Sequence, residues 1–312
     1  MFPVFALLVA EFGPERVGRE VPLAPFTTFR VGGPAEYLVE VHDPASLARL
    51  VAIAAQAGLP LTILGGGSNV LVSDAGIRGV VVRVRGGAIV PEGESGVRAD
   101  AGSSLNHLVR WTIGRGLAGL ESWAGTPGTV GGAVFGNAHY RGRSIGELVA
   151  TVRLVGGSGV IADVPAGEME FAYDRSRLQR TGEVVLSVLF ALRPAADPAE
   201  LREDARRSLA DRTRTQPLHA PSAGCIFQNP DPAVDRVPDG IPPSAGALID
   251  RAGLKGCAIG GARVSPLHAN FIVNDGGATA SDIRQLIDRC RDEVGARFGV
   301  TLREEIRYLG WE

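Results

Sequence analysis

The sequence contains little cysteine and little net charge, and both shortages exclude classes of protein. Its three cysteines, Cys225, Cys257 and Cys290, lie in the last third of 312 residues without C-x-x-C spacing, which excludes a disulfide framework and a cysteine zinc site. The formal charge of -2 provides no broad basic face for nucleic acid or an anionic membrane. We therefore expect no nucleic-acid partner, no membrane partner and, since no histidine spacing suggests one, no metal.

Long apolar runs are also missing. No stretch reaches the roughly 18 apolar residues of a membrane helix. Residues 1–10 are apolar but have no basic flank and are followed at once by Glu11, so we expect a packed or frayed terminus instead of an anchor or a signal peptide. With 45% hydrophobic residues, the chain is expected to be a soluble cytoplasmic protein of two domains.

The patterns that are present predict an α+β fold with many short strands. Pro194 and Pro198 bracket an alanine-rich stretch before a charged helix, which indicates a domain boundary near residue 195. We expect an N-terminal segment at 1–20, a first domain at 21–195 and a second domain at 196–312. Periodicity predicts helices at 44–57, 104–115, 199–212, 244–252 and 280–298, and strands at 37–41, 61–64, 70–72, 80–84, 149–155, 160–164, 184–192, 270–273 and 301–309.

Two glycine-rich stretches, residues 64–69 and 123–137, are expected to form loops within the first domain. Glycine lets backbone amides converge on an anion, so the two loops together would cradle a pyrophosphate. Tight turns in a β-rich domain explain either loop alone equally well. The first loop lacks the third glycine of the dinucleotide fingerprint, and no G-x-x-x-x-G-K-[ST] occurs, which excludes the Rossmann and P-loop fingerprints.

A series of short sequence motifs resembles those of a known family. They are TFRVGGPA at 28–35, LGGGSNVL at 64–71, GTPGTVGGAVFGNA at 125–138, SAGCIFQNP at 222–230, AGALID at 245–250, HANFIVN at 268–274 and LREEIRYLG at 302–310. In this order they resemble the UDP-N-acetylenolpyruvoylglucosamine reductase family, from about residue 21 to residue 310. The resemblance implies a vanillyl-alcohol-oxidase-type (PCMH-type) FAD-binding domain followed by a smaller α+β substrate-binding domain, in the family's shorter class.

The resemblance also implies a reaction and a cofactor site. NADPH would reduce non-covalently bound FAD, which would reduce the enolpyruvyl ether of UDP-N-acetylglucosamine to UDP-N-acetylmuramate, a peptidoglycan precursor. The residues expected to hold FAD are Arg30, Gly65, Gly66, Gly67, Ser68, Asn69, Gly125, Thr126, Pro127, Gly128, Val130, Gly131, Gly132, Ala133 and Asn137. Asn69 and Asn137 have the alternative role of capping turns.

Three residues are expected to be catalytic by this resemblance. Cys225 stands where the family usually has a serine proton donor, and a thiol releases a proton more readily than an alcohol; the alternative is a small buried hydrophobe. Glu305 matches the family's terminal glutamate. Neighbouring residues of a strand point to opposite faces, so adjacent Glu304 is expected to be a solvated surface carboxylate.

The third catalytic residue departs from the family pattern. The family phrase is Y-R-x-S, whereas this chain has Tyr173-Asp174-Arg175-Ser176. If the segment is extended, Arg175 shares a face with Tyr173 while Asp174 points away, so Arg175 is expected to fill the role. The alternative is a solvated strand end.

Weaker candidates for contacts to the UDP-sugar are Tyr173, Asn229, Lys255, His268 and Asn270, and for His268 a structural role is nearly as good an interpretation. Two rival functions stay open at this point. One is a flavin oxidase or dehydrogenase of the same fold that acts on an alcohol or sugar. The other is a catalytically silent UDP-sugar-binding protein.

Overall fold

A computed structural model describes residues 4–311 of the chain. Contacts divide the chain into two compact units: unit 1 comprises residues 1–21, 36–66 and 78–211, and unit 2 comprises residues 22–35, 67–77 and 212–312. The units interleave along the sequence, whereas the predicted domains are consecutive.

The helices follow local start and stop signals. They are α1 (Val4–Phe12), α2 (Pro44–Gln56), α3 (Leu105–Gly114), α4 (Val130–Phe135), α5 (Leu178–Thr181), α6 (Pro198–Thr215), α7 (Ala245–Arg251) and α8 (Ala280–Phe298). Asp43 caps α2 through the backbone N–H of Ser46, and α8 starts at a capping box and ends at Gly299 with φ 69°. Within the described part of the chain, no helix is long and apolar enough to cross a membrane.

The strands form several small sheets. They are β1 (Val17–Pro22), β2 (Pro34–Val41), β3 (Leu61–Leu64), β4 (Val70–Val72), β5 (Ile77–Val84), β6 (Ile89–Glu92), β7 (Gly96–Asp100), β8 (Leu117–Ala118), β9 (His139–Tyr140), β10 (Arg143–Ser144), β11 (Val149–Val155), β12 (Ile161–Pro165), β13 (Val184–Ala191), β14 (Arg193–Pro194), β15 (Ala258–Ile259), β16 (Ala262–Val264), β17 (Ile272–Asn274) and β18 (Arg307–Leu309).

Unit 1 is organised around two sheets. One has the order β1-β2-β5-β3, and the other is a five-stranded antiparallel sheet with the order β12-β11-β13-β7-β6. The short pairs β8–β14 and β9–β10 complete the unit. Its core contains Trp123 and Phe190, both 0% exposed, together with apolar residues of α2 and α3. Leu8 and Phe12 of α1 join this core, so residues 4–12 of the opening segment are packed, while residues 1–3 lie outside the described part.

Unit 2 has its own core. Helix α8 buries Ile283, Leu286 and Ile287 on one face, next to the antiparallel sheet β15-β16-β17 and helix α7. Strands β4 and β18 come from different sequence segments of unit 2 and pair in parallel. Ala223, Ile226 and Phe227 belong to the same core, which fixes the chain on either side of Cys225.

Two predicted elements differ from the structure. The stretch expected to be a continuous loop at 123–137 contains the short helix α4, because the Thr129 side chain accepts the backbone N–H of Gly132 and so caps a helix start. The last strand was predicted at 301–309, but only Arg307–Leu309 is a strand. Residues before it make a single bridge, Phe227 with Glu304.

Candidate active site

The two glycine loops meet inside unit 1. A Cβ atom on Gly65 would lie 2.5 Å from Thr129 Oγ1, and one on Gly66 would lie 2.6 Å from Gly128 Cα. These distances are far below the 3.4–4 Å of an ordinary van der Waals contact. Because the atom nearest Gly66 is backbone, glycine is required there for the loops to touch, and a larger residue at Gly65 would displace the Thr129 side chain.

Asn106 on α3 clamps the second loop, which sequence reasoning missed. Its Oδ1 accepts the Gly125 N–H at 2.7 Å, and its Nδ2 donates to the Thr126 carbonyl at 3.0 Å. An asparagine in the first turn of a helix gives no sequence signal for such a role, because both partners are about twenty residues away. The clamp fixes the start of the loop with two hydrogen bonds that are partly buried.

Several residues expected to contact FAD use their polar groups within the protein. The amides of Val130 and Gly131 donate to the carbonyls of Ser103 and Ala101, both at 2.9 Å. Asn137 is 2% exposed, accepts the Gly146 N–H at 2.9 Å and donates to the Ala172 carbonyl at 2.7 Å. For Asn137 these bonds favour the structural alternative over a contact to the cofactor.

Other groups of the loops fit an anionic and polar ligand. In the described part of the chain, the amides of Gly66, Gly128 and Thr129 have no protein acceptor, and the buried hydroxyl of Thr126 has no hydrogen-bond partner. Buried polar groups are normally paired, so a ligand with several acceptors would satisfy them. The residues present therefore fit the diphosphate and hydroxyl groups of FAD.

The segment that carries Arg175 is a tight turn, so the expectation of an extended segment is wrong. Ala172 and Arg175 exchange backbone hydrogen bonds of 3.0 and 3.1 Å, and Asp174 has φ 52°. Arg175 is exposed, whereas the Asp174 side chain is only 9% exposed and pairs with Nδ1 of His139 at 2.9 Å. Asp174 thus turns inward, because the turn breaks the alternation of faces on which the expectation rested.

In unit 2, Cys225 lies on a segment that runs beside Glu305. Gly224 has φ 82°, and Cys225 itself is half-buried. The Glu305 N–H donates to the Ile226 carbonyl at 2.8 Å, and Asn69 Nδ2 donates to the Glu305 carbonyl at 3.3 Å. The backbones that carry the two expected catalytic residues are therefore direct neighbours, and Asn69 of the first glycine loop is bonded to one of them.

Asn270 holds the same segment in place. Its Oδ1 accepts the Phe227 N–H at 3.0 Å, its Nδ2 donates to the Phe227 carbonyl at 2.7 Å, and its own carbonyl accepts the Ile226 N–H at 2.8 Å. The side chain is 3% exposed. These bonds fix the backbone after Cys225, and the contact of Asn270 with the substrate stays a prediction.

Glu304 is not the solvated surface carboxylate that we expected. Its side chain is 18% exposed, and Oε1 accepts a hydrogen bond of 2.6 Å from Arg291 of α8. Arg291 also bonds Asp288, so Glu304 is held by a charged network on α8. Glu304 is thereby engaged within unit 2, and the catalytic role of Glu305 stays a prediction.

Three of the expected substrate residues gather around α7. Asn229 is exposed, and its Oδ1 accepts the N–H of Ala245, the first residue of α7. Lys255 Nζ lies 2.7 Å from Asp250 Oδ2, and a Cβ on Gly246 would lie 3.3 Å from the ring of His268. Burial, and next the charge of Lys255, lower the pKa of His268, so its imidazole is neutral at neutral pH.

The remaining candidates lie on exposed or turn positions. Tyr173 is 49% exposed and packs on the His139 ring, with 4.5 Å between ring centroids. Arg30 is exposed with φ 56°. Tyr173 belongs to unit 1, whereas Arg30, Gly67, Ser68 and Asn69 belong to unit 2.

Comparisons with known proteins match both the N-terminal and the C-terminal part of the chain. Residues 35–164 match the model of an FAD binding domain, and residues 216–309 match the C-terminal domain of UDP-N-acetylenolpyruvoylglucosamine reductase. The chain is 45% identical to UDP-N-acetylenolpyruvoylglucosamine reductase 2 of Symbiobacterium thermophilum over 95% of this chain and 93% of that protein. It is 40% identical to the reductase of Synechococcus sp. strain JA-3-3Ab over 95% and 92% of the two chains.

A solved structure gives the same result. The crystal structure of UDP-N-acetylenolpyruvylglucosamine reductase (MurB) from Thermus caldophilus covers 94% of this chain and 99% of its own, with TM-score 0.79 and 34% identity. The fold is thus a PCMH-type FAD-binding domain with a MurB C-terminal domain, as the resemblance implied. With these matches along nearly the whole chain, the protein belongs to the UDP-N-acetylenolpyruvoylglucosamine reductase family and is a flavin-dependent oxidoreductase that uses FAD.

Proposed function

We propose that this protein catalyses the NADPH-dependent reduction of UDP-N-acetylglucosamine enolpyruvate to UDP-N-acetylmuramate, in the cytoplasm, for peptidoglycan precursor synthesis. One observation carries the proposal. The segments of Cys225 and Glu305 are joined by the hydrogen bond from Glu305 N–H to the Ile226 carbonyl, inside the part that matches the family's C-terminal domain. A rival oxidase of the same fold has no reason to keep a thiol and a carboxylate on these two neighbouring segments.

FAD, when bound, supplies the hydride chemistry, with NADPH as the source of the hydride and the vinyl carbon of the substrate as its destination. The chain's own contribution to cofactor binding is the loop pair. The amides of Gly66, Gly128 and Thr129 would bind phosphate oxygens, and the Thr126 hydroxyl would bond to a further polar group of FAD.

Cys225 is the proposed proton donor. Hydride addition to one vinyl carbon leaves negative charge on its neighbour, beside the substrate carboxylate, and a proton must be delivered there. A thiol has a reference pKa of about 8.5 and releases its proton far more readily than an alcohol. The half-buried position of Cys225 and the fixed backbone of Ile226 and Phe227 support this assignment.

Glu305 and Arg175 complete the proposed set. The carboxyl group of Glu305 assists protonation, and the guanidinium of Arg175 stabilises the charge that develops next to the substrate carboxylate. Arg175 is exposed at the end of a turn whose backbone bonds fix its position. Tyr173, Asn229, Lys255 and His268 are proposed to bind the UDP-sugar.

An anaerobic two-step experiment tests the function. NADPH is added to the FAD-loaded protein, and the enolpyruvyl substrate follows, while the flavin absorbance is recorded. The proposed reductase bleaches and then recovers its colour. A flavin oxidase does not respond to the substrate, a silent binding protein does not bleach, and either result contradicts the proposal.

Variants test the residue roles in the same assay. Cys225→Ala is expected to bleach normally but to lose recovery by at least a hundredfold, whereas Cys225→Ser and the control Cys257→Ala recover. Arg175→Ala is expected to slow recovery, whereas Arg180→Ala, an exposed arginine of the same segment, is not. Normal recovery in Cys225→Ala rules out its role as the donor.

A further inference from the structure

A carboxylate and an imidazole form a pair in unit 1 that the proposed reaction does not use. Asp174 Oδ1 lies 2.9 Å from His139 Nδ1, and the Asp174 side chain is 9% exposed. Among the described residues, nothing hydrogen-bonds the other oxygen of Asp174, although that oxygen is buried. A buried carboxylate oxygen without a donor is costly, so its presence here requires an explanation.

The pair is fixed to the end of the second glycine loop. Asn137 Nδ2 donates to the Ala172 carbonyl, and Ser176 Oγ donates to the Phe135 carbonyl, both at 2.7 Å. Gln179 donates to the carbonyl of Asp174 at 2.8 Å. His139 starts β9, two residues after Asn137, so hydrogen bonds join the pair to the end of the loop.

The pair also has a defined charge arrangement. Its carboxylate carries negative charge into a nearly buried position, and only His139 is bonded to its side chain in the described part of the chain. A proton on the imidazole would balance that charge, and the imidazole packs on the Tyr173 ring. Loss of the imidazole would leave the carboxylate charge uncompensated at the end of the second glycine loop.

We propose that His139 and Asp174 are a charge pair that sets the reduction potential of the bound flavin, with His139 cancelling the Asp174 charge. Two-electron reduction of FAD with uptake of one proton leaves one negative charge on the flavin, and protein charges nearby change its electron affinity. An uncompensated carboxylate opposes that reduction, and the paired imidazole removes the opposition. The proposal rests on FAD binding at the glycine loops.

The midpoint potential of the bound flavin is the direct measurement. The FAD-loaded wild type, His139→Gln, Asp174→Asn and the double variant are reduced anaerobically in equilibrium with a reference dye at one fixed pH. His139→Gln is expected to shift the equilibrium at least tenfold toward oxidised flavin, about 30 mV for a two-electron couple. Asp174→Asn is expected to shift it toward reduced flavin, and the double variant to stay within twofold of the wild type.

A control separates this effect from a general loss of structure. His42→Gln removes an exposed histidine of the same unit and is expected to leave the potential unchanged. An unchanged or raised potential in His139→Gln, or a lowered one in Asp174→Asn, overturns the charge pair. If His139→Gln does not retain FAD, the sign of the shift in Asp174→Asn decides alone. A wild type that binds and reduces FAD but ignores the enolpyruvyl substrate instead contradicts the proposed function and leaves the pair testable.

Discussion

The contact between the two glycine loops predicts a large effect from one added methyl group. In Gly66→Ala, the new Cβ would lie 2.6 Å from Gly128 Cα, about 1 Å inside a normal carbon–carbon contact. Because the obstructing atom is backbone, the loops themselves must separate. Overpacking of this kind costs about 1–3 kcal/mol, and the backbone of Gly66 needs no left-handed conformation, so the effect is purely steric.

The cost should appear in FAD binding, because the cradle uses amides from both loops. At 1.4 kcal/mol per factor of ten, the dissociation constant of FAD is expected to rise roughly five- to hundredfold. Quenching of flavin fluorescence during titration of the apoprotein measures it, and thermal unfolding of the apoprotein reports the stability. The control is Gly157→Ala, where an added Cβ has nothing within 4 Å. If Gly66→Ala binds FAD as tightly as Gly157→Ala does, the loops do not cooperate in the way we propose.

Three further results are expected. Asn106→Ala should lower the free energy of unfolding by about 1–3 kcal/mol, since it leaves two loop groups unpaired, whereas exposed His107→Ala should not, as urea unfolding would show. The Thr279 N–H holds the pKa of Asp282 below its usual value. That stabilisation is complete at neutral pH and is lost as the pH falls through the folded pKa. Asp282→Asn should therefore lose about 0.5–1 kcal/mol of stability at pH 7, and in urea titrations its difference from the wild type should shrink as the pH falls below the usual pKa of an aspartate. Burial raises the pKa of Cys290 to about 12, so a thiol reagent should label it only after unfolding; its labelling in the folded protein would contradict the buried position.

Elements with strong local signals were predictable from the sequence. Strand β11 and helix α8 have the predicted bounds, and α8 shows why: Thr279 starts it, Gly299 ends it, and its apolar residues recur at helical spacing. The family assignment was predictable for a different reason. Its phrases contain glycines that close contacts demand, as at Gly65 and Gly66.

Two features of the structure were not predictable from composition and local pattern. Helix α4 forms in a glycine-rich stretch because the Thr129 side chain caps it, whereas its composition alone favours a loop. Glu304 is drawn to Arg291 on α8, thirteen residues away, and no pattern within the last segment indicates that pairing. The cap of α4 is thus a local contact that outweighs composition, whereas the pairing of Glu304 with Arg291 is a tertiary contact.

Compared with the family motif, the arginine after Tyr173 is displaced by one position and Asp174 takes its place. This difference shows most clearly what could not be predicted from the sequence. Alternation along an extended segment would put Asp174 outside and Arg175 toward the site, but the bonds of Asn137, Ser176 and Gln179 fold the segment into a turn. In that turn the position next to Tyr173 is the inward one, and it is held by an acid that pairs with His139. Asp174 thus reverses the charge that the family has next to Tyr173. At an inward position this reversal changes the electric field at a bound flavin, whereas at an outward position water would screen it. The functional consequence of this sequence change therefore depends on the turn, and the potential of the flavin in Asp174→Asn is the quantity that reports it.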